Sequence, residues 1–132
     1  MIRMRKIKFR IWDSIKKLYS KAEKNEILLL SNDENAPVFK LNLSNNTYDF
    51  FEKETVEIEF FTGLKDKNGT EIYEGDIVKD VFDGIIGQIE YSDGRFFIVY
   101  DDITEKLSAD ESAYLEVVGN IFENPELLRE DD

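Results

Sequence analysis

The tightest constraint on this chain is its punctuation. Asn68-Gly69, Glu74-Gly75-Asp76, Asp83-Gly84 and Ser92-Asp93-Gly94 interrupt short apolar runs at spacings near ten residues. Glycine and asparagine accept the left-handed backbone that two-residue hairpin turns require. The runs between them, residues 77–82, 85–91 and 96–100, suit strands in length and are too short for core helices. The pattern predicts consecutive antiparallel strands joined by tight turns.

The N-terminal half carries the same period without the same regularity. Residues 6–12 alternate, with Ile7, Phe9 and Ile11 on one face and Lys6, Lys8, Arg10 and Trp12 on the other, which predicts a half-buried strand. Residues 14–24 read as a strand end and turn or as one helical turn, and residues 26–30 are a short apolar run. Residues 38–43 alternate Val38, Lys40 and Asn42 against Phe39, Leu41 and Leu43, and Asn45-Asn46 then reads as a turn. Residues 55–61 alternate Val56, Ile58 and Phe60 against Glu57, Glu59 and Phe61. This acidic strand mirrors the basic first one, so Lys6, Lys8 and Arg10 are expected beside Glu57 and Glu59 in one sheet. Residues 101–113 read as a polar loop with room for one helical turn, and residues 114–118 as a last strand. Asn124, Pro125 and Glu126 suit a helix cap, first position and first turn, with Leu127 and Leu128 pinning that helix to the body.

The expected fold is mostly β. A small antiparallel, SH3-like, partly open barrel occupies the C-terminal half, preceded by an irregular β part and followed by a short helix. A Gly-Asp pair opening an apolar strand, as at Gly75-Asp76, recurs in SH3-like barrels. The 132 residues are expected to form one domain, with a variable insert at about 14–61 and a barrel-like core at about 62–122.

The chain has no cysteine and no histidine, which removes thiolate nucleophiles, zinc sites and the usual triads. Carboxylates, lysine and tyrosine are what remain for catalysis, and Glu71, Glu74 and Asp76 are the nearest candidates for a carboxylate- or metal-dependent hydrolase. No phosphate-cradling glycine loop accompanies them, and residues 66–76 lack two ligands of a calcium loop. The expectation is a protein that is not an enzyme and holds no metal or cofactor. The absence of cysteine and of a continuous apolar N-terminal run points to a reducing, cytoplasmic compartment.

Charge is uneven. Residues 1–24 hold nine of the 17 basic residues against two acids, +7, which leaves eight bases against 27 acids, −19, for the remainder. A basic arm on an acidic body suits either a nucleic-acid contact or internal neutralisation of one part by the other.

Three stretches resemble one family, the YopX-like proteins of bacteriophages and prophages. Residues 9–13 (FRIWD) are similar to that family's opening motif. Residues 62–78 (TGLKDKNGTEIYEGDIV) resemble its central signature over its whole length, and residues 119–128 (GNIFENPELL) its closing one. The resemblance implies a phage origin, expression in the host bacterial cytoplasm and a mostly β structure; it implies no activity.

The functional expectation is a non-catalytic accessory protein that binds a host or phage protein, away from membranes and open to self-association. A nucleic-acid-binding role for the basic first strand is the alternative. The expected interaction surface is Lys8, Arg10, Trp12, Phe61, Asp66 and Tyr73, with Trp12 and Phe61 as exposed aromatics. In the central signature, Asp66 is expected to cap its own turn, Asn68 and Gly69 to supply positive φ, and Gly75 to permit a sharp bend.

Overall fold

The structure, a computed structural model, describes residues 8–21, 26–29, 37–101 and 103–129. The chain divides into two compact units, Met1–Glu59 and Phe60–Asp132.

The first unit contains strands β1 (Phe9–Asp13), β2 (Leu18–Lys21), β3 (Glu26–Leu29), β4 (Val38–Asn42) and β5 (Thr47–Phe51). A 3-10 turn, Lys53–Thr55, leads into β6 (Val56–Lys65), which runs across the boundary at Glu59. The β1–β2 hairpin sets Trp12 opposite Tyr19, and its turn places Lys17 at φ 56°. β3, β4 and β5 form a separate antiparallel sheet in that order. Asn46, at φ 59°, supplies the expected left-handed residue between β4 and β5. The sequence reading had no strand at residues 47–51, where β5 forms.

The expected half-buried first strand is covered on both faces. Phe9, Arg10, Ile11 and Trp12 are all buried, so side chains pack on both faces of β1, whose edges are paired with β2 and β6. Alternation marked the two faces correctly; it could not show that the polar face would also be packed. Lys6 lies outside the described residues.

The second unit adds β7 (Glu71–Tyr73), β8 (Asp76–Asp80), β9 (Ile86–Ser92), β10 (Arg95–Val99), β11 (Thr104–Lys106), a one-turn helix α1 (Ala109–Ser112) and β12 (Leu115–Asn120). Five strands pair in the order β11-β10-β9-β8-β12 and curl into a half-barrel. Ile72, Val78, Ile89, Ile98 and Leu115 fill it, with Phe96, Tyr100, Leu107 and Val117 around them. The expected mostly β class and partly open barrel are thus found. Asp93 and Gly94, at φ 51° and 80°, make a two-residue turn with both angles positive, whose twist suits the β9–β10 hairpin. Gly87 is required by packing: a Cβ there would stand 2.8 Å from Ile98 Cγ2 and 3.0 Å from the Tyr100 ring.

The loop expected at 101–113 holds β11 as well as its helical turn. Ser108 caps that turn, its hydroxyl accepting from the Glu111 N–H. The C-terminal helix is a 3-10 turn, Pro125–Leu128, and its cap differs from expectation. Asn124 makes no side-chain cap; its Oδ1 accepts from the Asn120 N–H at 3.2 Å. Leu127 and Leu128, 37% and 39% exposed, are partly covered where the turn packs against β9, as expected.

Candidate functional site

The basic strand was the first candidate surface, and the structure turns its key residue inward. Arg10 Nε lies 2.9 Å from Glu59 Oε1, with both side chains buried. The Tyr19 hydroxyl donates to the same carboxylate oxygen at 2.9 Å, and the Arg10 guanidinium sits 4.3 Å from the Tyr19 ring centre. Trp12 packs on Tyr19 with ring centres 5.0 Å apart and is 6% exposed, contrary to the expected exposed aromatic. A buried guanidinium must keep its carboxylate, because leaving either charge uncompensated costs about 3–5 kcal/mol. The Arg10 charge is therefore matched within the unit. Lys8 is exposed, as is Glu57.

The central signature is a set of backbone clamps. Asp66 is buried, and one carboxylate oxygen accepts from the N–H groups of Asn68 and Thr70 at 2.8 and 2.9 Å. Its other oxygen accepts from Val117 N–H at 2.9 Å, so one side chain fastens the β6–β7 turn to β12. Gly69 and Gly75, both at φ 83°, supply the left-handed positions; Asn68 does not. Glu74 Oε1 accepts from Phe60 N–H, and Asp76 Oδ2 from Tyr73 N–H. Tyr73 is buried and Phe61 partly buried, their rings 5.5 Å apart across β6 and β7. Four of the six expected surface residues, Arg10, Trp12, Asp66 and Tyr73, are thus interior.

Of the carboxylates considered for acid–base chemistry, Glu74 and Asp76 serve separate clamps, and among the described residues no three metal-capable side chains gather. Tyr100 is held protonated: burial, then the nearby carboxylates of Glu105, Asp80, Glu111 and Asp83, push its hydroxyl up to about 12. Glu111 is pushed above the usual carboxylate range by burial and then by Glu105, and its Oε2 is buried with no hydrogen-bond partner.

The surface that stands out is one the sequence reading did not select. In the β3-β4-β5 sheet, register places Ile27 opposite Leu41, Leu41 opposite Tyr48, and Phe39 opposite Phe50. Strand side chains alternate between faces, so these residues share one side of the sheet. That side is apolar and in water: Tyr48 is 63% and Phe50 64% exposed, while Phe39 and Leu41 are half-buried. The Phe39 ring touches both neighbours, at centre distances of 6.0 Å to Tyr48 and 6.4 Å to Phe50. The opposite side holds the polar contacts: Lys40 Nζ lies 2.7 Å from Ser20 Oγ and 3.5 Å from Glu26 Oε2. The signal was in the sequence: residues 39, 41, 48 and 50 are the apolar half of two alternating runs. Reading residues 14–61 as an insert left it unweighted.

The three motifs fall within the stretch that comparison with known proteins matches. A family model described as YopX protein matches residues 8–129. The chain belongs to the YopX family. The resemblance read from residues 9–13, 62–78 and 119–128 is confirmed, and the YopX family is not known as one of enzymes. Among solved structures, the chain is similar to protein EF1440 from Enterococcus faecalis, at 31% identity and a TM-score of 0.69. That match covers 93% of this chain and 98% of the other. A search of curated proteins finds no match. Among the described residues of this YopX protein, no helix is long and apolar enough to cross a membrane.

Proposed function

We propose that this YopX protein is a non-catalytic binding module whose partner is another protein, of the phage or of its bacterial host, met in the host cytoplasm. The observation that carries the reading is the uncharged, solvent-facing side of β3-β4-β5, formed by Ile27, Phe39, Leu41, Tyr48 and Phe50. An exposed antiparallel face ordinarily alternates to polar residues. Contiguous exposed apolar area on a chain of net charge −12 supports a protein contact here. Three strands about 4.8 Å apart, of four, five and five residues, make a face of roughly 220 Å2, against about 800 Å2 per partner in a standard interface. The face therefore serves as the aromatic centre of a contact rather than the whole of it.

The nucleic-acid alternative rested on the basic first strand. With Arg10 matched by Glu59 and Trp12 covered, Lys8 is the one side chain left on the surface among the described residues of that set. The −19 remainder repels phosphates as well.

The test is a pair of binding assays, each with its own variant. A Tyr48→Ser, Phe50→Ser protein should keep its circular dichroism and melting temperature. It should lose a host or phage protein that the parent retains from infected-cell lysate at moderate salt. Equal retention by the variant defeats the reading. A DNA gel shift at near-physiological salt, abolished by Lys8→Glu, would put the nucleic-acid role in its place.

A further inference from the structure

The first unit also carries a cleft of about 500 Å3 beside the apolar face. One wall is the β1–β2 hairpin, through Asp13, Ile15, Lys16 and residues 18–20; the other is residues 49–52. Four consecutive residues line the second wall, although Tyr48 and Phe50 point to one side of the sheet and Asp49 and Phe51 to the other. No residue of β4 borders the cleft. Residues of both orientations thus border the opening, as they do along the edge of β5.

β5 is the terminal strand of its sheet, and among the described residues no strand pairs with its outer side. An open strand edge presents a row of backbone donors and acceptors. β2 is likewise terminal in its own sheet. The cleft carries three carboxylates, Asp13, Asp49 and Glu52, against one ammonium, Lys16. Ile15 and Leu18, 73% and 63% exposed, add apolar surface on the hairpin side.

These features choose between occupants. A second copy pairing β5 to β5 antiparallel about Asp49 would set that carboxylate against itself, an unfavourable cross-strand pair. An extended segment with a basic residue at that place meets the opposite charge. Apolar residues on either side of it would lengthen the Tyr48–Phe50 face by one strand.

We propose that the cleft takes an extended segment of the partner protein, which adds to β5 as a fourth strand and reads apolar–basic–apolar, its lysine or arginine opposite Asp49. Strand addition draws affinity from main-chain hydrogen bonds and selectivity from alternate side chains. The inference rests on the protein-binding reading above and specifies the form of the ligand.

The probe is a fluorescein-labelled heptapeptide of alternating valine and lysine, titrated into the whole protein and followed by anisotropy. Two counterparts accompany it: one with glutamate for lysine, and one N-methylated on the backbone amides of a single edge. Valine–lysine should bind at least tenfold tighter than either counterpart. Asp49→Lys should weaken it at least threefold and narrow the gap to valine–glutamate. Bound peptide should slow amide exchange in β5 at least tenfold. Equal binding of the N-methylated peptide, no binding of the parent peptide at millimolar concentration, or no protection in β5 overturns the inference. Self-association that protects β5 without peptide would assign the edge to a second copy instead. If these outcomes fail while Tyr48→Ser, Phe50→Ser still abolishes partner retention, the apolar-face reading survives and strand addition falls.

Discussion

The half-barrel of the second unit encloses its apolar side chains, whereas the three-stranded sheet of the first leaves its own in water. Ile98 is fully buried among Ile72, Val78, Ile89 and Leu115, while Phe50, a larger side chain, is 64% exposed beside Phe39. Both sheets are antiparallel and both alternate. The difference is whether something covers the apolar side. Where the chain supplies the cover, alternation is a folding signal. Where no described residue supplies it, the same pattern leaves an apolar side open to the contact proposed above.

Truncation should separate the two cases most sharply. Ile98→Ala leaves a cavity in a closed core and should cost about 2–5 kcal/mol. Phe50→Ala removes more atoms yet should cost under about 1 kcal/mol, because those atoms were never taken out of water. Urea unfolding of the two variants measures both. A Phe50→Ala loss as large as that of Ile98→Ala would mean that the face is covered in the folded chain.

The next effect belongs to the turn clamps. Asp66→Ala removes the acceptor of three N–H groups and leaves that of Val117 unpaired. Summing about 0.5–1.5 kcal/mol for each of the two replaceable bonds and about 1–3 for the unsatisfied group gives roughly 2–6 kcal/mol. Asp66→Asn should recover part of this, since its amide keeps one acceptor. Calorimetry on both variants tests the clamp, and a loss below about 1 kcal/mol would show that the turn holds without it.

The smallest effect is one of pH. The folded state raises the pKa of Glu111, so that state holds the proton more tightly than the unfolded chain. The resulting stability is fully present below the ordinary glutamate value of 4.5 and is lost as pH rises through the folded-state value. Glu111→Gln keeps the neutral form at every pH. Its melting temperature relative to the parent should therefore be higher at pH 7 than at pH 4. A difference that does not change with pH would remove Glu111 as a contributor.

The legible part of the molecule was the part whose backbone is bent by its own side chains. Gly69, Gly75, Asp93 and Gly94 announce turns because few residues accept their φ angles, and Asp66 announced the turn that it closes. Arg10 beside Glu59 followed from matching a basic alternation to an acidic one. Burial was harder, since it depends on which layer lies above a strand. Trp12 and Tyr73 carry polar atoms and sit among charges in sequence, yet both are interior. Tyr48 and Phe50 follow an Asn-Asn turn in a segment with no motif, where the absence of a covering layer leaves no trace in sequence.

One small interlock constrains how this chain can change. A Cβ on Gly119 would stand 2.6 Å from Asn124 Oδ1 and 2.8 Å from its Cβ and Cγ, and the same Oδ1 accepts from the Asn120 N–H. The asparagine occupies the space that the glycine vacates. Any side chain at 119 evicts Asn124, and a smaller residue at 124 forfeits the bond that made the glycine necessary. Mutational drift at either position is therefore gated by the other, and the order of two substitutions decides whether a lineage passes through a crowded or a merely loosened intermediate.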